Sequence, residues 1–376
     1  MSIVIIKSTI DKQGGLEKYA LRIAKAFSER KKKVTILTTK PQKPLLEDPY
    51  ISYEWADGSP LFSFRRIEQF DRYCSSWQKK HQPTFVLSLD RNREQTHIRA
   101  GNGVHSAYLE SRKWTDPSWK TFFHRYNPLH RKILEIEKTA FSHPKLQKIF
   151  VNSHMVKRQL QYYYPLSSNK IQVIHNGVEW GEMENDFCQW PAARKKIIEE
   201  LNLPSSSYHF LFIGHGFARK GLDQLLQALS HLSLSDFHLS VVGKDKNISV
   251  YQGLIKKLGL EKKVTFFGPQ KNIRPFYQIA DALVIPSFYD PFANVTVEAL
   301  AMGLFVLSSQ TNGGHEILQS GNGAIIENLL DPASFLYSLE QALLHPKTLE
   351  SSTSIRKSVK ALDFSQHMDQ FLQFFI

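Results

Sequence analysis

Cysteine is scarce in this sequence, since only Cys74 and Cys188 among its 376 residues carry a thiol. The two lie far apart and lack the short spacing of metal ligands, which argues against a disulfide framework and a zinc knuckle. Long apolar runs are lacking too, because no stretch approaches the roughly 20 residues of a membrane-spanning helix. The first apolar run is interrupted by Lys7 and is too short for a signal-peptide core. We therefore expect a cytoplasmic protein without a transmembrane segment.

Acidic residues are few in the first half of the chain. Residues 1–180 contain 31 Lys and Arg against 16 Asp and Glu, a net charge of +15, whereas the remainder contains 17 against 19. The cationic clusters are Arg30 to Lys33, Arg65 with Arg66, Arg91 to Arg99, and Arg112 to Lys132, the last interleaved with aromatic residues. Such a surface suits nucleic acid, anionic lipid headgroups or an anionic substrate. Net charge fixes no partner, so a solvated basic face remains an open interpretation.

Alternating strand and helix patterns predict two doubly wound α/β domains. Strands of the first domain are predicted at 3–6, 34–39, 84–89, 149–152 and 171–174. Strands of the second are predicted at 210–214, 238–243, 264–268 and 282–287, and in FVLSS after the helix VTVEALAMG. The predicted domains are residues 1–178 and 179–354. The amphipathic segment 355–376 either packs back on the first domain or caps its own.

A pair of glycines follows the first strand of the first predicted domain, and a pair of cations follows the first strand of the second. Gly14 and Gly15 would let a phosphate approach the backbone where a helix begins. Arg219 and Lys220, at the carboxyl end of strand 210–214, could neutralise a diphosphate. Taken alone, the glycines could form a tight turn with nothing bound, and the cations could be a solvated pair.

Two carboxylates give the strongest signal. Asp290 follows the strand that ends at Ser287, and Glu298 lies eight positions later in the next helix. One carboxylate could accept hydrogen bonds from the sugar hydroxyls and the other from both ribose hydroxyls. The backbone N–H groups of the intervening residues could bind the phosphates. A helix with an acidic first turn is the alternative. It leaves the repeated arrangement of strand, loop and cation unexplained.

These motifs occur in an order that resembles glycosyltransferase family 4, which has the GT-B fold. The order is GG after the first strand, NGV at the domain junction, RKG, VVG, VTFFG, and then the two carboxylates. The resemblance covers nearly the whole chain. Within the family the sequence is most similar to bacterial lipopolysaccharide core glucosyltransferases, through SVVGKDK, GFARKG and RAGNGVHSAYLESRK. It implies two Rossmann-like domains that face each other across a cleft.

The resemblance also implies roles for the matched positions. Arg219 and Lys220 would hold the donor diphosphate and stabilise the leaving group, while Glu298 would bind the ribose. Asp290 would hold the sugar, although the family usually has glutamate there, which puts the identity of the sugar or the rate in question. The other donor-side positions are Gly14, Gly15, Gly243, Phe292, Ala293 and Asn294, with Lys271, Asn272 and Ile273 against the base.

The same resemblance implies a functional role for the histidine in RAGNGVHSAY. Family members carry histidine or aspartate in this region, near the reacting sugar carbon, and His105 fits that place. Many relatives have aspartate where Asn102 aligns. Because a neutral asparagine cannot act as a base, His105 is the predicted catalytic group. Without the family, a lone histidine in a glycine-rich loop would be incidental.

The chain contains no D-x-D motif, the carboxylate pair that commonly holds a divalent metal on a nucleotide sugar. We therefore expect metal-independent transfer in which Arg219 and Lys220 stabilise the departing diphosphate. The resemblance implies retention of anomeric configuration and, as the leading donor, UDP-glucose. The expected acceptor is an anionic glycan or glycolipid such as the lipopolysaccharide core, reached at the inner face of the cytoplasmic membrane.

Two functions of other classes stay open at this point. A nucleotide-sugar epimerase of GT-B architecture would need neither an acceptor site nor a membrane-facing surface. A binding protein that has lost catalysis could use the basic face for nucleic acid. The intact set of Arg219, Lys220 and Glu298 argues against the latter, so we expect no nucleic-acid partner.

Overall fold

The structure is a computed structural model that describes residues 3–10, 15–39, 44–56, 62–233 and 236–375. The chain divides into two compact units, Met1–Ile174 and His175–Ile376. Each unit is built on one parallel β-sheet. Among the described residues, no helix is long and apolar enough to cross a membrane.

The first unit holds a seven-stranded sheet. Its strands are β1 (Ile3–Ile6), β2 (Val34–Thr38), β3 (Ile51–Trp55), β4 (Phe85–Ser88), β5 (His97–Arg99), β6 (Lys148–Val151) and β7 (Ile171–Val173). They lie in the order β3-β2-β1-β4-β5-β6-β7. Strands β1 and β4 are buried along their whole length, as expected for central strands of a parallel sheet covered on both faces. The strand order reverses between them, which is where open α/β sheets bind ligands.

Six α-helices accompany this sheet within the described residues. They are α1 (Gly15–Glu29), α2 (Ser63–His81), α3 (His105–Ser111), α4 (Ser118–His124), α5 (Pro128–Ser142) and α6 (His154–Tyr163). Helix α1 buries Ala20, Ile23, Ala24 and Phe27, whose spacing of three and four places them on one face. The side chain of Asn127 caps α5 by accepting a hydrogen bond from the Leu129 amide at 2.9 Å.

The second unit holds a six-stranded sheet. Its strands are β8 (Tyr208–His215), β9 (Phe237–Lys244), β10 (Val264–Gly268), β11 (Ala282–Ile285), β12 (Phe305–Ser309) and β13 (Gly323–Ile326). They lie in the order β10-β9-β8-β11-β12-β13. The order reverses between β8 and β11, so a ligand site is expected beyond the carboxyl ends of these two strands.

The helices of the second unit carry the site residues and cover the sheet. They are α7 (Glu184–Glu200), α8 (Phe217–Lys220), α9 (Leu222–Ser230), α10 (Ile248–Lys257), α11 (Arg274–Ile279), α12 (Asn294–Ala301), α13 (Pro332–Leu343), α14 (Leu349–Ser358) and α15 (Phe364–Leu372). Four leucines of α9 enter the core, namely Leu222, Leu225, Leu226 and Leu229. Helix α9 thereby fixes the position of the short helix α8 that precedes it.

The C-terminal segment is attached to the beginning of the second unit. Val178 pairs with Asp363 in an isolated parallel bridge. The indole of Trp180 donates to the Arg356 carbonyl at 3.1 Å, and the Arg356 guanidinium donates to the Trp180 carbonyl at 2.7 Å. The guanidinium also lies over the Trp180 ring, 4.0 Å from its centre. Residues 178–180 are therefore held by residues 356–363.

The predicted fold class is confirmed, because both units are doubly wound parallel α/β structures. The strands predicted from apolar runs are present within a few residues of their predicted bounds. Strands β3, β5 and β13 were not predicted. In β5 the buried residues include His97 and Arg99, so this strand has no apolar run to reveal it.

Candidate functional site

A pocket of about 430 Å³ lies in the second unit, beyond the carboxyl ends of β8, β9 and β11. It is lined by the last residues of β8 and β9, by α8, by the loop before α11 and by the segment entering α12. The lining residues are Ile213, Gly214, His215, Arg219, Lys220, Val242, Gly243, Gln270, Ile273, Asp290, Phe292, Ala293, Asn294 and Val295. The pocket therefore occupies the place that the strand order indicates for a ligand.

Two glycines keep the floor of this pocket free of side chains. Gly243 has a φ of +138°, and a Cβ there would lie 1.7 Å from the carbonyl oxygen of Gly214. A Cβ on Gly214 would in turn lie 3.0 Å from the Cγ of Lys220. The stem of Lys220 therefore runs over bare backbone, and a bulky ligand can approach the strand ends closely.

The two predicted cations meet Asp290 although about 70 residues separate them in sequence. Lys220 Nζ lies 2.7 Å from Asp290 Oδ2. Arg219 Nη1 lies 3.5 Å from the same oxygen and donates to the Tyr289 carbonyl at 2.7 Å. The Lys220 side chain is 9% exposed and that of Arg219 is 31% exposed, so Arg219 is the more accessible of the two.

Asp290 is held ionised by these neighbours. Burial alone would raise the pKa of its carboxyl group, but Lys220 and Arg219, together with the Phe292 amide, bring the pKa below its ordinary value. The backbone of Asp290 is fixed as well, since its amide donates to the Thr311 carbonyl at 3.0 Å and its carbonyl accepts from Gly313 at 2.9 Å. The pocket thus contains a rigid carboxylate between two cations.

Two of the three backbone amides predicted to face the sugar are engaged inside the protein. The Phe292 amide donates to Asp290 Oδ1 at 3.2 Å, and the Ala293 amide donates to Asn312 Oδ1 at 3.0 Å. Asn294 is exposed, begins α12, and accepts a hydrogen bond at its Oδ1 from the Asn176 side chain at 2.7 Å. All three residues line the pocket. The assignment of their amides to the sugar stays a prediction.

Glu298 lies one turn further along α12, on the face that Asn294 begins. Its Oε2 accepts a hydrogen bond from the phenol of Tyr277 at 2.8 Å. Tyr277 is fully buried, and this burial, with Glu298 adding to it, raises the pKa of the phenol well above its ordinary value. Tyr277 therefore remains a donor that fixes one oxygen of the half-buried carboxylate. Glu298 does not itself line the pocket.

The other predicted donor-side positions are distributed unevenly. Gly243 and Ile273 line the pocket, whereas Lys271 and Asn272 are exposed and do not. Asn272 Oδ1 accepts from the Arg274 amide at 3.1 Å, at the start of α11. Gly14 lies outside the described residues, and Gly15 is the first residue of α1 in the first unit.

His105 is buried at the start of α3 in the first unit. Its amide donates to the carboxylate of Glu137 at 3.1 Å, and its Nε2 lies 3.1 Å from Nδ1 of His130. Burial, with Arg91 and His130 adding to it, lowers the pKa of His105 to about 3. The ring is therefore neutral near pH 7. Asn102 lines a cavity of about 30 Å³ in the same unit, large enough for a water molecule.

Many cations of the segment 91–132 are paired with acids. Arg91 lies 2.7 Å from Glu137, Lys132 contacts Glu68 at 3.1 Å, and Arg112 is paired with Asp116 four residues later. These pairs neutralise part of the positive charge that the sequence concentrates here. They also hold the side chains of this segment in place.

Five aromatic side chains of this segment are exposed, and the rings of Phe122, Phe123 and Tyr126 contact one another. The five are Trp114 (64%), Trp119 (67%), Phe122 (52%), Phe123 (58%) and Tyr126 (54%), which we term the aromatic surface. The Arg125 guanidinium lies over the rings of Phe122 and Tyr126, 4.1 and 4.6 Å from their centres. Exposed aromatics next to a cation form a surface suited to a membrane interface.

Sequence reasoning missed several residues that shape the pocket. His215 and Gln270 line it. Asn312 accepts a hydrogen bond from the Ala293 amide, and Tyr277 donates one to the carboxylate of Glu298. The position of His215 at the strand end, four residues before Arg219, was the one signal available. Asn312 and Tyr277 reach the site only through the packing of β12 and α11.

Comparisons with known proteins agree with this architecture. Residues 13–180 match the family described as Glycosyltransferase Family 4, and residues 193–360 match Glycosyl transferases group 1. The lipopolysaccharide glucosyltransferase WaaG of Escherichia coli is 26% identical over 211 residues, 55% of this chain and 56% of that protein. LpsE of Rhizobium meliloti, a lipopolysaccharide core biosynthesis glycosyltransferase, is 27% identical over 142 residues, 38% of this chain and 41% of that protein. The aligned segments span about half the length of these relatives.

Solved structures match over nearly the full chain. A crystal structure of WaaG has a TM-score of 0.76 at 19% identity and covers 99% of both chains. Anabaena HepE, crystallised with UDP-glucose, has a TM-score of 0.70 at 17% identity and covers 100% of this chain and 99% of its own. At such identities the likeness shows the fold alone. The models for Glycosyltransferase Family 4 and Glycosyl transferases group 1 together match residues 13–180 and 193–360, so this chain belongs to the glycosyltransferases that carry these two domains.

Proposed function

We propose that this protein is a retaining, metal-independent hexosyltransferase that moves glucose from UDP-glucose to a lipopolysaccharide-core or other lipid-linked glycan. The observation that carries the proposal is the pocket in which Arg219, Lys220 and Asp290 meet beyond β8 and β11. A nucleoside diphosphate sugar carries negative charge that the two cations would neutralise. Its hydroxyl groups would donate hydrogen bonds to the carboxylates.

Arg219 and Lys220 would stabilise the charge that develops on the leaving UDP. Glu298, one oxygen of which is fixed by Tyr277, would accept hydrogen bonds from the ribose hydroxyls. Asp290 already accepts from Lys220 and the Phe292 amide, and a carboxylate has about four acceptor positions, so a sugar hydroxyl can still be added. UDP-glucose is proposed as the donor because WaaG is a glucosyltransferase and HepE was crystallised with UDP-glucose.

Metal independence is proposed from the donor set of the pocket. Among the described residues that line it, Asp290 is the single carboxylate, and its charge is already shared with two cations. Divalent Mg²⁺ or Mn²⁺ on a diphosphate is held by carboxylates that are free to coordinate it. The lining residues therefore fit a diphosphate bound by cations better than one bound through a metal.

The first test is incubation of the protein with a panel of nucleotide sugars, with and without EDTA. A transferase hydrolyses its donor slowly when no acceptor is present, an epimerase yields an isomer, and a binding protein yields neither. We expect slow hydrolysis of UDP-glucose that EDTA does not change. The anomeric configuration of the transfer product, measured by proton NMR, tests retention.

Glu298→Ala should abolish UDP-glucose binding and turnover, because it removes the proposed ribose ligand. Glu340→Ala is the matched control, since Glu340 is an exposed glutamate of α13 in the same unit. If Glu298→Ala keeps the affinity and turnover of the wild type, the donor-site assignment is wrong.

We also propose that the aromatic surface places the protein at an anionic membrane, at the inner face of the cytoplasmic membrane. The exposed rings would enter the headgroup region, and neighbouring cations would be attracted to acidic lipids. This would bring the first unit to a lipid-linked acceptor that carries phosphate.

Flotation with liposomes tests the membrane proposal. Wild-type protein should float with vesicles of phosphatidylglycerol and phosphatidylethanolamine at low salt and less with neutral vesicles. Replacing Trp119 and Phe123 by serine should reduce flotation, whereas Tyr162→Ser should not, although Tyr162 is 80% exposed. Equal binding of the wild type to neutral and anionic vesicles would remove the electrostatic part of the proposal.

A further inference from the structure

His215 lies in the proposed donor pocket without an assigned role. It is the last residue of β8, it is exposed, and it lines the pocket with Arg219 and Lys220. Its ring is close enough to Lys220 for the ammonium charge to affect its titration. The ring therefore lies beside the cations that would hold a diphosphate.

The backbone of β9 fixes the tautomer of this histidine. The Lys244 amide donates to Nδ1 of His215 at 3.1 Å. Because Nδ1 accepts a hydrogen bond, a neutral ring must carry its proton on Nε2. Burial, with Lys244 and Lys220 adding to it, lowers the pKa of His215. The ring is therefore a neutral Nε2–H donor near pH 7.

The same contacts orient the ring. His215 and Lys244 are paired in the register of β8 and β9, and the Gly216 amide donates to the Lys244 carbonyl at 3.1 Å. The imidazole is thus bound to the Lys244 amide, whose own position is fixed by the pairing of the two strands. Since the two nitrogens lie on opposite sides of the ring, Nε2–H faces away from the Lys244 amide.

We propose that His215 is a third donor to the diphosphate of the nucleotide sugar, giving its Nε2–H to a phosphate oxygen beside Arg219 and Lys220. This inference rests on the proposed function of the pocket. A hydrogen bond to a charged oxygen is about twice as strong as one between neutral groups. Asp290 already neutralises part of the Lys220 charge, which weakens the attraction of Lys220 for a diphosphate. A neutral N–H donor is not weakened in this way, so His215 would add to the binding energy of the diphosphate.

Three substitutions separate this role from a purely structural one. His215→Phe keeps the size of the ring and removes both nitrogens. His215→Asn keeps an oxygen that can accept from the Lys244 amide but has no donor at the place of Nε2. His215→Gln can bring an amide N–H to about that place. Lys246→Ala is the control, because it removes an exposed cation of the neighbouring loop after β9 that does not line the pocket.

UDP binding to each purified full-length variant is measured by titration calorimetry. We expect His215→Phe and His215→Asn to bind UDP about tenfold or more weakly, and His215→Gln to regain part of the loss. Lys246→Ala should bind as the wild type does. A wild-type affinity in His215→Asn would overturn the proposal, because the structural bond to Lys244 would then be sufficient.

Nitrogen-15 NMR of the imidazole gives a second measurement that does not depend on variants. The wild type should show a His215 ring protonated at Nε2, and UDP should shift that resonance. An Nε2 resonance that UDP leaves unchanged would also overturn the proposal. If the wild type binds neither UDP nor any other nucleoside diphosphate, the proposed function fails, which is distinct from failure of the His215 assignment alone.

Discussion

Lys220 joins a structural contact to its proposed role at the donor diphosphate. Its stem lies against Gly214, and its ammonium is the nearest cationic partner of the half-buried carboxylate of Asp290. A side chain that balances a buried charge cannot be removed without leaving that charge uncompensated.

Lys220→Met keeps the stem and removes the ammonium. We expect the free energy of unfolding to fall by about 3 kcal/mol, since Asp290 keeps only the more distant Arg219 as a cationic partner. Turnover of UDP-glucose should fall on the order of 100-fold, because a donor to the leaving diphosphate is lost. Urea denaturation and initial rates measure the two effects separately.

The double variant Lys220→Met with Asp290→Asn serves as the control for stability. Removing both charges should restore most of the lost unfolding free energy while turnover stays low. Recovery of turnover in the double variant would show that Lys220 acts only as the partner of Asp290.

At the scale of elements, Asn312 joins the pocket to the sheet. Its side chain is fully buried and makes four hydrogen bonds, accepting from Ala293 and Gly314 and donating to Thr296 and Ser308. These partners belong to the segment before α12, the turn after β12, α12 and β12. One amide thus fixes the position of the segment that carries Asp290 relative to the helix that carries Glu298.

Asn312→Ala should lower the free energy of unfolding by about 2–4 kcal/mol, because buried donors and acceptors lose their partner. It should also raise the KM for UDP-glucose, since the segment 290–294 is no longer held. Asn322→Ala is the matched control, because Asn322 is equally buried and bonds Gln319 and Ser358 instead. A similar rise of KM in both variants would contradict the specific role of Asn312.

Strands such as β1 and β11 could be predicted because a strand that is buried on both faces is a continuous run of apolar residues in the sequence. Strand β3 alternates buried and exposed residues, and β5 buries polar ones, so neither produces such a run. Arg219, Lys220 and Asp290 could be predicted because each follows a strand of one sheet. His215, Tyr277 and Asn312 could not, since their contribution depends on contacts made only after folding.

At the scale of the whole molecule, both units bury neutral histidines. Burial lowers the pKa of His97 in the first unit and of His238 in the second to about 4, and that of His105 to about 3. The unfolded chain binds these protons near pH 6.5, so it takes up more protons than the folded chain between about pH 6.5 and 4. Stability is therefore full above pH 6.5 and is lost as the pH falls through this window.

The urea midpoint should accordingly fall between pH 7.5 and pH 5, with each of these histidines contributing on the order of 1–2 kcal/mol. His238→Gln should flatten the dependence on pH. A midpoint that is constant from pH 7.5 to 5 would contradict this assignment.

The attachment of residues 178–180 to residues 356–363 has a consequence for biosynthesis. The first unit ends at Ile174, so all of its chain has been synthesised before most of the second unit exists. The second unit lacks the partner of Val178 until Asp363 has emerged. Since domains fold as units in the order of synthesis, the first unit can fold before residues 356–363 are made, and the start of the second unit gains these contacts only after they have emerged.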